Sequence, residues 1–182
     1  EAFFASVPEI LGKESSKLTR SQTYRAALAD AGLAGVSYPT EFGGRGLSAE
    51  HEAVFQRIAT PLQPSEESTF GIGIGMALPT IRDYGSESLK ERFLRPGLRG
   101  EEIWCQLYSE PGAGSDLAGL TCKAERDGDE WIVTGQKVWT SYGDKADWMF
   151  CLLRTDPDAK KQMGISLVLF DMETPGVTPK PI

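Results

Sequence analysis

The spacing of apolar residues changes partway along this chain, and that change limits the folds open to it. Up to about residue 101 they recur at helical intervals; from about Glu102 they alternate. A pattern of period about 3.6 followed by one of period 2 describes helices first and a sheet afterwards, without alternating βαβ units. The fold class that follows is α+β: an all-α N-terminal domain over residues 1–101 and an antiparallel β domain over residues 102–182. No internal repeat or low-complexity segment breaks this division.

The helical half is punctuated by caps and stops. In "SQTYRAALADAGL", Ser21 is the predicted N-cap, Tyr24, Leu28 and Ala31 share a face, and Gly32 is the stop. "SAEHEAVFQRIATPL" repeats the form, with Ser48 as cap, Val54, Ile58 and Leu62 recurring every fourth residue, and Pro61 disturbing the end. "SESLKERFLRPG" does so again, with Leu89 and Phe93 on the apolar face and Pro96-Gly97 as the stop.

In the second half, Leu120, Cys122 and Ala124 point to one side of a strand and Thr121, Lys123 and Glu125 to the other. Asp127-Gly128 then gives a tight-turn signal before "EWIVTG", predicting an antiparallel hairpin. "ADWMFCLLRTD" and "GISLVLFDM" follow as strands apolar enough to be buried on both faces.

Composition narrows the classes of function. With 182 residues, 40% hydrophobic, the chain can bury one substantial core or two small ones. Its apolar runs fall far short of the roughly 18 residues that suggest a membrane span. It opens on Glu1 with no basic-then-apolar leader, which reads as a piece of a longer protein without a secretory signal. Three cysteines, Cys105, Cys122 and Cys151, lie in predicted strands without CxxC spacing, so a reducing, cytoplasmic setting fits better than a disulfide framework. A net charge of -7 with no dense basic cluster argues against nucleic acid as a partner.

Several motifs fail on inspection. "GAGSDL" offers Gly-x-Gly, but the third glycine of a dinucleotide fingerprint would fall on Leu117 and no helix follows. "GIGIGM", Gly71 to Met76, fails in the same way and reads as a close helix contact or a wall near a ligand. The single histidine, His51, lies on the polar face of a helix with no metal-ligand spacing around it, so neither a zinc set nor a histidine-dependent nucleophile is expected.

Two segments remain. "YSEPGAGSDLAG", Tyr108 to Gly119, offers backbone N–H groups uncrowded by side chains together with the hydroxyls of Ser109 and Ser115, which suits a phosphate or the polar edge of a planar ring as well as it suits a plain connection. "GQKVWTSYG" sets Trp139 beside the hydroxyls of Thr140 and Ser141, an aromatic plane with short donors of the kind a heteroaromatic cofactor stacks on.

The stretch "YSEPGAGSDLAGLTCKAERDGDEWIVTGQKVWTSYGDKADWMFCLLRTDP" resembles the middle-domain signature of the acyl-CoA dehydrogenase family, including its E-P-G-A-G-S-D core and G-x-K-x-W-x-[ST] segment. Upstream, "GLAGVSYPTEFGGRGLS" resembles the family's P-x-x-[FY]-G-G-x-G loop, so the likeness covers almost the whole chain. It implies a β-barrel-like middle domain, cut short at its C-terminal end at Ile182, and FAD as cofactor. Gln106, Leu107, Tyr108, Ser109, Gly114 and Ser115 would line the flavin, with Ser109 facing its pyrimidine side and Ser115 near the diphosphate and the substrate thioester. Trp139 would pack on the ring, with Thr140 beside it and Ser141 near N5. Gln106 and Tyr108 depart from the residues common in relatives.

The activity implied is α,β-dehydrogenation of an acyl-CoA in lipid metabolism, with an electron-transferring flavoprotein as oxidant and a homotetramer or homodimer as assembly. The resemblance places the catalytic base in a C-terminal helical domain outside these residues, so no catalytic residue is named; Glu110 is read as part of the E-P turn. "FGIGIGMALPTI" is the expected part-wall of the acyl pocket. Alternatives are an oxygen-using oxidase or monooxygenase relative, a non-catalytic partner subunit or inactive fragment of the same fold, and a DNA-protective relative that the acidity disfavours.

Overall fold

The computed structural model describes residues 2–12 and 16–182, with backbone alone at 65–67. The chain divides into two compact units, Glu1–Ile103 and Trp104–Ile182. The first is helical: α1 (Ala2–Leu11), α2 (Lys17–Asp30), α3 (Ala49–Ala59), α4 (Leu78–Tyr84) and α5 (Glu87–Arg99), joined by short 3-10 segments. The second carries five strands, β1 (Trp104–Leu107), β2 (Lys123–Asp127), β3 (Glu130–Thr134), β4 (Trp148–Arg154) and β5 (Ile165–Asp171).

Three helix readings need correction. Helix α2 starts earlier than Ser21: Ser16 is its N-cap, its Oγ accepting the Thr19 N–H, and Ser21 is fully buried inside the helix. The first turn, with Leu18 as its only large apolar residue and that one exposed, carries no stripe to reveal it. The stop is as expected, with Gly32 N–H on Ala29 O at 2.9 Å and Leu33 N–H on Leu28 O at 2.8 Å, closing the last turn on its own carbonyls.

In α3, Ser48 stands at the N-cap, but its hydroxyl pairs with His51 Nδ1 at 2.8 Å instead of the backbone. The inner face is Phe55 and Ala59, with Phe55 packed 6.4 Å from the Phe4 ring; Val54, Ile58 and Leu62 are 47%, 42% and 49% exposed. Two apolar rows of four-residue spacing lie side by side on this helix, and the aromatic row is the one packed inward.

Helix α5 runs through Pro96-Gly97 to Arg99. An internal proline costs about 3 kcal/mol, but Phe93, Leu94 and Leu98 are all buried here, and each contributes about 1.5–3 kcal/mol. Gly97 brings α4 close: a Cβ there would fall 2.6 Å from Leu78 Cδ2. The Ser86 Oγ caps the start by accepting the Leu89 N–H, and the helix stops at Gly100.

In the second unit β2 and β3 form the expected antiparallel hairpin, in register from Lys123↔Thr134 to Asp127↔Glu130 about a turn at Gly128. Strand β4 is the hub. It pairs with β5 antiparallel along its whole length, with β1 parallel from Trp104↔Trp148 to Leu107↔Cys151, and with β2 by a single parallel pair, Lys123↔Arg154. The domain is therefore a mixed, open sheet and not a purely antiparallel barrel. Alternation says which face a side chain takes but not the direction of its neighbour, and the long connection from Leu107 to Trp148 allows a parallel return. Burial on both faces holds for β4, with Met149, Phe150, Cys151 and Leu153 all buried, but β5 pairs with β4 alone and stays half-exposed.

Cys105, Cys122 and Cys151 are free thiols in this core. Burial pushes them up to about 12, 11 and 12. The folded protein at neutral pH is expected to react with a thiol reagent more than about a hundred-fold slower than an unfolded control, since only the thiolate attacks. Comparing labelling rates with and without urea checks this; equal rates would contradict the burial.

Candidate functional site

The glycine-serine loop leaves β1 and is tied down at both ends. At the near end Glu110 and Ala113 exchange backbone hydrogen bonds, N–H to O at 2.9 and 3.1 Å, closing a turn over Pro111-Gly112. At the far end Arg154 donates to Ala118 O at 2.8 Å and Leu120 O at 3.3 Å, and Lys161 pairs with Asp116. Between these anchors the chain is bare: Gly112, Gly114 and Ser115 are exposed, and a Cβ on either glycine would meet nothing within 4 Å.

Beneath the loop lies a buried ion pair. The Glu110 carboxylate accepts from Lys137 Nζ at 2.8 Å and Cys122 N–H at 2.9 Å on one oxygen, and from Thr121 N–H at 2.7 Å and Thr121 Oγ1 at 2.8 Å on the other. Only 4% of the Glu110 side chain and 6% of that of Lys137 are exposed. Burial by itself would raise the acid, but the Lys137 ammonium and the Thr121 and Cys122 N–H groups outweigh it and draw its pKa down to about 2. An ionised carboxylate with four donors on it has no capacity left as a base near neutral pH, which agrees with reading Glu110 as part of the turn.

Lys137 also joins the two segments singled out in the sequence. Its Nζ donates to Tyr108 O at 3.1 Å, and the next N–H, of Val138, donates to Ser109 O at 2.9 Å. This lysine is the K of the G-x-K-x-W-x-[ST] segment, but no role for it followed from the sequence, and only the register of the two loops buries its side chain.

The expected flavin-lining residues all lie in this unit. Gln106 and Leu107 end β1, half-buried; Tyr108 sets its ring edge-on to Phe150, 5.4 Å between centroids. Ser109 is half-buried, and no hydrogen bond among the described residues uses its N–H or hydroxyl. Trp139 is 76% exposed at φ +59° and Tyr142 sits at φ +62°, two non-glycine residues in the left-handed region on either side of Thr140 and Ser141. Such backbones cost about 1 kcal/mol or more each and persist where the surroundings enforce them. Free donors at Ser109, an uncovered aromatic at Trp139 and a backbone bare of side chains at Gly112 and Gly114 fit a large planar, anionic cofactor.

In the helical unit, a cleft of about 630 Å³ is bounded by Tyr38, Phe55, Gly71, Ile74 and Gly75. Gly73–Ala77 forms a π-helical turn at this wall, and a Cβ on Gly71 or Gly75 would meet nothing within 4 Å. At these two positions the glycines border open space, as a wall of the cleft would, while Gly73 between them is buried.

Comparison with known proteins agrees with this architecture. The description "Acyl-CoA dehydrogenase, N-terminal domain" matches residues 8–101, and "Acyl-CoA dehydrogenase, middle domain" matches residues 105–182. The chain belongs to the acyl-CoA dehydrogenase family. It is 46% identical over 158 residues to acyl-CoA dehydrogenase FadE34 of Mycobacterium tuberculosis, covering 87% of this chain and 22% of that protein. Among solved structures, the ChsE4-ChsE5 complex from Mycobacterium tuberculosis superposes with a TM-score of 0.75 at 31% identity, covering 94% of this chain and 45% of that one. The Tcur3481-Tcur3483 steroid ACAD does so with a TM-score of 0.73 at 29% identity, covering 96% and 47%. The chain thus spans less than half the length of each of these relatives.

Proposed function

We propose that this chain forms part of the flavin site of an FAD-dependent enzyme that oxidises acyl-CoA thioesters between their α and β carbons. The observation that carries this reading is the junction at Ser109 and Val138, which sets the bare glycine-serine loop beside the Trp139–Ser141 segment with the Ser109 donors unspent. Bound FAD would supply the acceptor for the hydride leaving the β carbon. Ser109 N–H and hydroxyl would face the pyrimidine edge, where negative charge gathers on reduction, and stabilise it electrostatically. Trp139 would cover the ring, with the Thr140 and Ser141 hydroxyls near its accepting edge. Gly114 and Ser115 would let the diphosphate and the thioester approach the backbone. Removal of the α-proton would fall to the carboxylate that the family resemblance places outside these residues; Glu110, with four donors on its carboxylate, does not supply it.

The substrate class we favour is an acyl group bulkier than a short straight chain; a relative described as a steroid ACAD supports this. Electron-transferring flavoprotein as oxidant, a cytoplasmic location and a homo-oligomeric assembly belong to the same proposal.

The test is anaerobic mixing of the FAD-loaded, full-length protein with straight-chain and steroid side-chain acyl-CoA thioesters. Loss of the visible flavin absorbance is expected, fastest with the bulky substrates, and regained with electron-transferring flavoprotein and not with oxygen at turnover speed. Ser109→Ala is expected to slow reduction about ten- to a hundred-fold, the range for losing a hydrogen bond to a charged group. Protein that never holds FAD would overturn the reading.

A second reading is a non-catalytic partner subunit. It is favoured by one observation: both solved relatives are described as pairs of differently named chains. FAD binding without bleaching by any thioester, together with recovery of activity on adding a second chain, would select it.

A further inference from the structure

We propose that Lys137 is a positioning residue of the flavin site: with Glu110 as its counter-charge, it fixes the Tyr108–Ser109 peptide so that the Ser109 N–H is aimed at the flavin. This rests on the FAD reading above and assigns the device that makes one donor effective. A trans amide points its C=O and its N–H in opposite directions, so anchoring one end orients the other. Lys137 Nζ holds Tyr108 O at 3.1 Å, and the N–H of that same peptide, on Ser109, is left with no partner among the described residues.

The peptides that follow show why this one stands apart. Ser109 O is taken by Val138 N–H at 2.9 Å, and Glu110 N–H by Ala113 O at 2.9 Å, so the 109–110 peptide is fully satisfied and cannot rotate without losing both bonds. One anchored carbonyl with a free N–H thus stands beside a locked unit.

Lys137 is itself held in place. Its second contact is Glu110 Oε1 at 2.8 Å, and the remaining Glu110 lone pairs are occupied by Cys122 N–H and by Thr121 through N–H and Oγ1, which fixes the carboxylate on β2's approach. An ammonium hydrogen-bonded to a carbonyl in a buried setting also polarises that amide, making its N–H a stronger donor. The Lys137 charge is thereby relayed to the flavin edge through the 108–109 peptide without reaching it directly.

The experiment uses FAD-loaded, full-length protein and reads sulfite affinity and flavin midpoint potential, both of which follow anion stabilisation at the flavin and neither of which requires turnover. Lys137→Met leaves the carboxylate buried alone, so the double variant Glu110→Gln/Lys137→Met, which removes both charges, is compared with it. In the folded double variant, sulfite binding is expected to weaken about ten-fold, the scale of one hydrogen bond to a charged group, and the potential to become more negative. Lys137→Arg, which keeps a cation and a donor, is expected to recover most of the loss. Wild-type sulfite affinity and potential in either folded Lys137→Met or the folded double variant would overturn the proposal and show the pair to be structural only. Wild-type protein that binds no FAD would instead overturn the functional reading itself, which separates the two failures.

Discussion

Replacing Glu110 by alanine is expected to destabilise the sheet unit by about 3–5 kcal/mol, the cost of leaving one partner of a buried ion pair without its counter-charge. Lys137, 6% exposed, would be left with Tyr108 O in place of its counter-charge, while the N–H groups of Thr121 and Cys122 lost their acceptor. The measurement is urea unfolding followed by tryptophan fluorescence, and a loss below about 1 kcal/mol would mean that water reaches this site in solution. Acid gives a second, independent readout. The carboxyl titrates near 2 in the folded state against an ordinary value of 4.5, so its contribution is present above pH 4.5 and is lost as pH falls from there towards 2. A shift of this size corresponds to about 3 kcal/mol. Glu110→Gln should therefore flatten the stability curve between pH 4.5 and 2 while lowering stability at neutral pH; an unchanged acid limb would assign the acid sensitivity to other carboxylates.

The change of period near residue 102 carried the division into a helical unit and a sheet unit, because which side of an element is buried is a local property of the sequence. Residues whose role depends on distant partners were less legible. Ser21 looked like a cap because serine ahead of an apolar face often is one, yet Ser16, five residues earlier, is bonded to Thr19. The Val54, Ile58 and Leu62 row matched a helical stripe as well as Phe55 and Ala59 did, and only tertiary packing chose between them. Strand direction left no trace in alternation, so the parallel β1–β4 pair was unforeseen. At the site, the glycine-serine loop and Trp139 stood out by composition, and the family resemblance named the residues around them. Lys137 was a position of the G-x-K-x-W-x-[ST] segment with no role read for it, since burial of a lysine depends on a carboxylate that the sequence places 27 residues away.

Gly135→Ala is expected to be the most damaging single-methyl change in the sheet unit. Gly135 holds φ at +151°, a conformation that L side chains rarely adopt, and an added Cβ would fall 2.2 Å from Cys122 Sγ, 2.7 Å from its Cβ and 2.8 Å from its Cα. A flexible neighbour could retreat, but Cys122 is held on both sides: its N–H donates to Glu110 at 2.9 Å and its carbonyl accepts from Arg154 N–H at 2.8 Å. Strain and overpacking therefore add, and the expected loss is about 3 kcal/mol or more by urea unfolding. Because Lys137 and Val138 follow within three residues, the same displacement should loosen their bonds to Tyr108 and Ser109, so FAD content should fall in step with stability. Cys122→Ala in the same molecule would remove only the sulfur from the clash, leaving the overlap with the Cβ and the backbone of residue 122; it should restore less than half of the lost stability. Full rescue by Cys122→Ala would show that the thiol alone fixes the spacing, and a Gly135→Ala protein as stable as the wild type would show that this strand connection is not seated on Cys122 at all.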